Sequence, residues 1–453
     1  MKRVMIAGTG SGCGKTTVTC AVLGALKNRG TALCSFKCGP DFIDPMFHTK
    51  VLGVSCRNLD SFLCPEQTVK YLFAKAVSSH TTAVLEGVMG YYDGLSGTKL
   101  AASSHHIARL LDTPVVLVLG VKGKSLSLAA ELQGFLGFEP NRIRGVIFNG
   151  AAEHTYPMYK EIAERHTGVR VLGYLPQLPG ARLESRHLGL VGAQEIHGLR
   201  EKMELLALQA ERTVDLDGLL ELARGAGELE YLPAPPGRLP DTPRIAVAMD
   251  GAFSFYYQDS LDLLKLLGAR LIPFSPMADP ELPAGVGGLL LGGGYPELYA
   301  RLLSNNRPML SSIAAAVGDG MPTIAECGGF MLLCREFIAG DGERYPLAGV
   351  LDTDVRMAAS PGPFGYVTLR AKEDNLLCER GRTLRAHEFH YSRAENPGAA
   401  FVIGKDSGRS WEGVYATDTL YAGYPHLYLW GAPEAARRFA QKCLEYQQRG
   451  RGL

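Results

Sequence analysis

No stretch of this chain approaches the ~18 uninterrupted apolar residues that a membrane-spanning helix needs, and no block of Lys and Arg concentrates positive charge. The first absence argues against a membrane protein. The second argues against nucleic-acid binding, which takes a basic patch or stripe. Lys+Arg (47) and Asp+Glu (46) nearly cancel to a formal charge of +1, so bulk charge selects no partner. The opening Met-Lys-Arg runs into Val4-Met5-Ile6-Ala7 and then a glycine turn, an apolar core too short for a secretory leader. The expectation is a cytoplasmic protein whose ten cysteines are free thiols. Zinc spacing is lacking too: Cys34 and Cys38 are close, but no second Cys/His pair accompanies them. There is no internal repeat, and oligomeric state is left open, with an oligomer allowed.

What is present is an ordinary globular composition, 46% hydrophobic and 21% charged, in 453 residues, enough for two or three domains. Short apolar runs at 3–7, 82–86, 114–120 and 143–149 alternate with helical patterns, which predicts a mostly parallel sheet covered by helices. After residue 212 the pattern changes. An amphipathic Val214–Ala223 segment leads into Gly225-Ala-Gly227 and the Pro-rich Leu232–Pro240, and a new strand then opens at Arg244. The expected division is therefore a first α/β domain over 1–211, a helix and Pro-rich linker over 212–243, and a second α/β domain over 244–453.

The first strand ends in Gly8-Thr-Gly10-Ser11-Gly12-Cys13-Gly14-Lys15-Thr16-Thr17. Glycines let backbone amides turn toward a polyphosphate, and the following helix start adds partial positive charge. This reads as a phosphate-binding loop for ATP, with Lys15 reaching the β- and γ-phosphates and the Thr16 hydroxyl on Mg²⁺. The strict pattern wants Gly at position 9, where Thr9 stands, with Gly8 one step earlier.

Two acidic clusters follow predicted strands: Lys37-Cys-Gly-Pro-Asp41-Phe-Ile-Asp44 and Glu86-Gly-Val-Met-Gly-Tyr-Tyr-Asp93. Parallel sheets bind ligands at the C-terminal ends of their strands, so Glu86 is expected to meet Mg²⁺ beside Thr16, a hard-oxygen site. Asp41, Asp44 and Asp93 are candidates for the metal shell or the substrate, and Lys37 for the phosphoryl group in transit. The competing view is that these Asp and Gly residues simply form turns.

In the second half, Thr323-Ile-Ala-Glu326 runs straight into Cys327-Gly-Gly329, a strand-turn-helix layout that exposes a nucleophile. The helix start is expected to favour its thiolate. Upstream, Gly293 and Gly294 end another strand and offer amides for an oxyanion hole. Downstream, His426 in Gly423-Tyr-Pro-His426 is the first candidate base, with His387 and His390 competing.

Taken together these pieces resemble the cobyrinate a,c-diamide synthase family. That family joins a dethiobiotin-synthetase-like P-loop domain to a class I (triad), flavodoxin-like glutamine amidotransferase domain. The pieces carrying the resemblance are Gly39–Pro45, Glu86–Gly94, Arg186–Leu190, Gly292–Glu297, Glu326–Gly329 and Tyr424–His426, in the family's order over nearly the whole length. It implies two three-layer α/β domains and amidation of the a and c carboxylates of cobyrinate. ATP would phosphorylate each carboxylate and ammonia from L-glutamine would displace phosphate, with a glutamyl thioester on Cys327. It also implies Asn149 at an adenine contact and Arg186 and His187 at substrate carboxylates. Class I glutaminases ordinarily place Glu two residues after the His; here that residue is Tyr428, which leaves the group that orients His426 unassigned. The two sites are expected to share an enclosed ammonia path. Sister enzymes that use hydrogenobyrinate or nickel-sirohydrochlorin have the same layout. Cobyric acid synthase is disfavoured by the short length and the Gly-Pro-Asp-Phe-Ile-Asp run. A ParA-like ATPase switch, from a different class, would commonly carry a lysine where Gly10 stands and would lack the second half.

Overall fold

The computed structural model describes residues 1–77, 81–181, 193–232 and 236–449, with backbone alone for 193–197. The chain divides into two compact units, Met1–Pro233 and Ala234–Leu453. No helix among the described residues is long and apolar enough to cross a membrane.

The first unit is built on seven strands: β1 (Lys2–Gly8), β2 (Leu33–Cys38), β3 (Cys56–Leu59), β4 (Thr82–Glu86), β5 (Val115–Gly120), β6 (Ile143–Asn149) and β7 (Arg170–Leu175). Their order is β3-β2-β4-β1-β5-β6-β7, and every pairing is parallel. Near-continuous apolar runs such as Val115-Val-Leu-Val-Leu suit strands covered on both faces. Chain direction reverses around β1, so its C-terminal end and that of β4 form a switch point, where such sheets bind ligands.

Helix α1 (Lys15–Asn28) crosses the helix Ala193–Thr213 closely. A Cβ on Gly24 would lie 2.9 Å from that of Ala207, so the missing side chain lets the two backbones approach. The helix Leu216–Arg224, assigned by sequence to the linker segment, packs on this unit instead. Asp215 caps it by accepting from Gly218 N, and its own amide donates to Leu172 O at 2.7 Å. Arg3, fully buried, then donates to Leu111 O at 2.6 Å, Met1 O at 2.8 Å and Gly227 O at 2.8 Å, tying the chain beyond that helix to the base of the sheet.

The second unit has a six-stranded sheet: Arg270–Phe274, Arg244–Ala248, Gly288–Leu291, Thr323–Glu326, Leu420–Gly423 and Tyr415–Ala416. The first five are parallel in the flavodoxin-like order 2-1-3-4-5, and the last runs antiparallel at the edge. Between its fourth and fifth strands the chain adds antiparallel structure that the sequence reading did not anticipate. One five-stranded sheet contains Gly365–Ala371, Thr383–Glu388 and His426–Leu427. His426 thus leaves the parallel sheet and pairs with His387 of the antiparallel one.

Candidate active sites

At the end of β1 the loop needs glycine at three points. Gly12 (φ 78°) and Gly14 (φ 95°) adopt left-handed backbone. At Gly8 a Cβ would sit 2.3 Å from Cys13 Sγ and 2.6 Å from Lys15 Cγ, so the loop folds back over that residue, and the shifted glycine has a steric reason. Ser11 and Gly12 are exposed at the crest, with Gly10, Cys13, Thr16 and Thr17 half-buried around them. Lys15 Nζ donates to Gly10 O at 3.2 Å. Burial, and then repulsion from Lys37, lower the Lys15 pKa. Asn149 ends β6 and donates to Cys13 O at 3.0 Å, so here its amide braces the loop.

The carboxylates expected beside this loop do gather there in part. Thr16 Oγ1 donates to Glu86 Oε1 at 2.6 Å, and Lys37 Nζ donates to the same oxygen at 2.9 Å. Lys37 Nζ also lies 2.6 Å from Asp44 Oδ2, and His48 Nε2 lies 3.3 Å from Glu86 Oε2. One ammonium thus serves two buried acids, unequally. Burial works against the Glu86 charge, yet Lys37, His48 and Thr16 hold that carboxylate below its ordinary range. Burial and the Glu86 charge push Asp44 up to about 7. Lys37 itself is raised, because Glu86 and Asp44 outweigh its desolvation.

Asp41 and Asp93 are engaged as turn formers. Asp41 Oδ1 accepts from Ile43 N at 2.7 Å and Asp93 Oδ2 from Gly90 N at 2.8 Å. Among the described residues no group of three or more His, Cys, Asp or Glu side chains converges as a metal cage. A site that Mg²⁺ completes with water and phosphate oxygens does not require one. Arg186 and His187 lie outside the described residues.

In the second unit Cys327 has φ 49° and ψ −100°, a strained conformation for a residue with a Cβ. The turn is held tightly. Cys327 N donates to Gly423 O at 2.7 Å, and a Cβ on Gly329 would come 2.1 Å from Leu291 O. A Cβ on Gly328 would lie 3.3 Å from Gly294 N, so that amide borders the elbow. On its other flank Gly293 meets the His426 ring, whose Cε1 is 2.4 Å from where a Cβ would be. The elbow, the Gly293–Gly294 segment and His426 therefore converge.

Of the rival histidines, His390 is otherwise engaged. His390 has one ring nitrogen 2.6 Å from Ser392 O and the other 2.9 Å from Glu388 Oε1, and its ring stacks on Tyr424 at 3.6 Å. Burial, His426 and Lys405 push His387 down to about 3, which keeps it neutral.

The thiol departs from expectation. Burial, followed by the charge of Glu297, raises the Cys327 pKa, and the helix that follows, Gly328–Leu333, does not overcome this. Deprotonation therefore needs a base. Two further residues border the site without having been given a role in the sequence reading. Tyr256 Oη accepts from Gly292 N at 2.8 Å and donates to Ala248 O, anchoring the glycine turn. Glu326 Oε1 accepts from Leu427 N at 3.0 Å. A carboxylate at the last position of a fully buried strand, directly before the cysteine, was the available signal for the second.

Residues 4–191 match the CobQ/CobB/MinD/ParA nucleotide binding domain, and 244–433 match the CobB/CobQ-like glutamine amidotransferase domain. Over almost its full length the chain is similar to proteins named cobyrinate a,c-diamide synthase. It is 41% identical over 443 residues to that of Listeria innocua, covering 96% of this chain and 97% of the relative. It is 42% identical over 451 residues to that of Gloeobacter violaceus, covering 97% of each. The chain belongs to the cobyrinate a,c-diamide synthase family. As a member of the cobyrinate a,c-diamide synthase family it is a glutamine-dependent amide ligase with a P-loop nucleotide-binding domain. The ParA-like switch has no counterpart to the amidotransferase half.

Proposed function

We propose that the chain converts the a and c carboxylates of cobyrinate to carboxamides, consuming ATP and glutamine at each, as a step of cobalamin biosynthesis. The observation supporting the glutaminase half is the strained Cys327 elbow, with the His426 ring against Gly293 beside it. His426 takes the thiol proton as Cys327 Sγ attacks the glutamine carboxamide carbon, and the developing oxyanion turns toward the Gly293–Gly294 amides. His426 then returns the proton to the leaving nitrogen, and ammonia departs. Water hydrolyses the glutamyl thioester to glutamate and restores the thiol.

In the synthetase half the loop Gly10–Thr17 cradles the ATP phosphates, with Asn149 at its edge. Lys15 and Lys37 offset charge on the phosphoryl group in transit. The Asp44 and Glu86 carboxylates already hold one cation, the Lys37 ammonium, and with the Thr16 hydroxyl beside Glu86 they are hard oxygen donors that fit Mg²⁺, which when bound neutralises phosphate charge. A substrate carboxylate oxygen attacks the γ-phosphorus, ADP leaves, and ammonia displaces phosphate from the acyl phosphate to give the carboxamide. Asp41, Asp93, Arg186 and His187 are assigned to orient the substrate.

The test is to incubate the enzyme with ATP, glutamine and, separately, cobyrinate, hydrogenobyrinate or nickel-sirohydrochlorin, and to count amides by mass spectrometry. Two amides on cobyrinate are expected. Preference for either other macrocycle reassigns the substrate, and no amide on any of the three overturns the reading.

A further inference from the structure

The residue two positions after His426 cannot supply the carboxylate of a triad, because Tyr428 stands there and its hydroxyl donates to Asp259 Oδ2 at 3.2 Å. A carboxylate reaches His426 from another direction. Glu326 ends the strand Thr323–Glu326, one residue before the nucleophile. Its Oε1 accepts from the backbone of Leu427, the neighbour of His426, at 3.0 Å, and its Oε2 lies 3.7 Å from His426 Nδ1. Both side chains are nearly enclosed, 12% and 3% exposed, so water screens the pair weakly.

We propose that Glu326 is the positioning residue of the glutaminase, holding the proton on His426 Nδ1 so that Nε2 serves as the base for Cys327. This rests on the reading of Cys327 and His426 as the reacting pair. The bond from Leu427 N fixes the Glu326 carboxylate relative to the backbone that carries the imidazole, so orientation does not depend on a floppy side chain. The 3.7 Å separation lies just beyond hydrogen-bond range, and catalytic contacts of this kind often tighten when substrate binds. A buried thiol with a raised pKa gives this arrangement its purpose, since a base backed by a carboxylate stabilises the imidazolium that forms when the thiol is deprotonated. From the facing strand the neutral His387 pairs with His426, and on the reading above the Cys327 thiol comes to it from the elbow. The nucleophile and the group orienting its base are consecutive in the chain.

The test compares glutamate release from glutamine, as a function of pH, for the full-length wild type, Glu326→Gln, Glu326→Asp and Cys327→Ser. Gln preserves the acceptor for Leu427 N and removes the charge. Glu326→Gln is expected to lower kcat about 10- to 100-fold with the KM for glutamine nearly unchanged. Loss of the negative charge makes the imidazolium less stable, so the acid limb of kcat/KM shifts to lower pH. Glu326→Asp keeps the charge and leaves the limb in place. A wild-type kcat and limb in Glu326→Gln, with Cys327→Ser inactive, overturns the role of Glu326 and leaves the pair standing. Glutamate release by Cys327→Ser overturns the pair itself. Should Glu326→Gln fail to fold, Glu326→Ala decides: a lower kcat with the acid limb moved to lower pH supports the role, and a wild-type kcat and limb overturn it.

Discussion

The imidazole of His426 turns its Cε1 edge toward the backbone of Gly293, so close that a single added carbon would come within 2.4 Å of that atom. In the proposed mechanism one residue thus lends its amide to the oxyanion site, and by having no side chain it makes room for the His426 ring. Gly293→Ala is expected to displace the ring by about an ångström, a misplacement that typically costs on the order of 100-fold in rate. Glutamate release should fall accordingly, while synthesis driven by added ammonium chloride should persist. Wild-type glutaminase activity in this variant would show that the ring does not act from this position.

The two units divide the labour, and two substitutions separate their contributions. Cys327→Ser should abolish synthesis from glutamine and retain synthesis from ammonia. Lys15→Ala should stop both, because in the proposed mechanism neither nitrogen source helps a carboxylate that has not been phosphorylated. The comparison is read as amide formation by mass spectrometry with each nitrogen source. Loss of ammonia-driven synthesis in Cys327→Ser would contradict this division.

Arg3 tests the fold. Its guanidinium is fully buried and spans Leu111, Met1 and Gly227, so it closes the first unit on the chain that follows the helix Leu216–Arg224. Arg3→Met keeps much of the bulk but leaves several carbonyls without a donor, a loss on the order of 3 kcal/mol. Chemical denaturation should show the first unit's transition at lower denaturant, with the second unit's unmoved. An unchanged midpoint would mean that water replaces the guanidinium at no cost.

Both units were legible at the level of strand, turn and helix because their chemistry sits on local motifs. A glycine loop after a buried strand can be read from ten residues, and so can a Cys on an elbow. What could not be read depends on long-range contacts. Glu326 meets Leu427 across 101 positions, and no spacing rule links them. The antiparallel sheet that receives His426 has elements as short as His426–Leu427, which carry too few residues to display an alternation. The thiol was misjudged for a different reason. A helix start favours a thiolate, but that effect is small beside the desolvation of Cys327 and the charges of Glu297, Glu388 and Glu326 around it, which only the packed structure reveals. Asp41 and Asp93 were candidates for substrate contact, and one oxygen of each is engaged in shaping its own turn.

His387 should make the second unit sensitive to acid. It lies opposite His426 in the antiparallel sheet, with the rings of Tyr366 and Phe364 at 5.9 and 6.1 Å. Burial, assisted by His426 and Lys405, lowers its pKa from 6.5 to about 3. Above 6.5 the ring is neutral in both folded and unfolded chains, and its contribution to stability is fully present. As pH falls below 6.5 the unfolded chain takes up a proton that the folded chain refuses until about 3, so stability is lost across that window. Urea midpoints of the second unit measured from about pH 7 to about pH 4.5 should therefore decline, and His387→Gln, which has no proton to take up, should decline less steeply. Other carboxylates and histidines contribute equally to both proteins, so the difference in slope isolates this one ring. Identical slopes would mean that the folded protein accommodates the charged imidazole, and that the neutral partner opposite His426 is not maintained by burial.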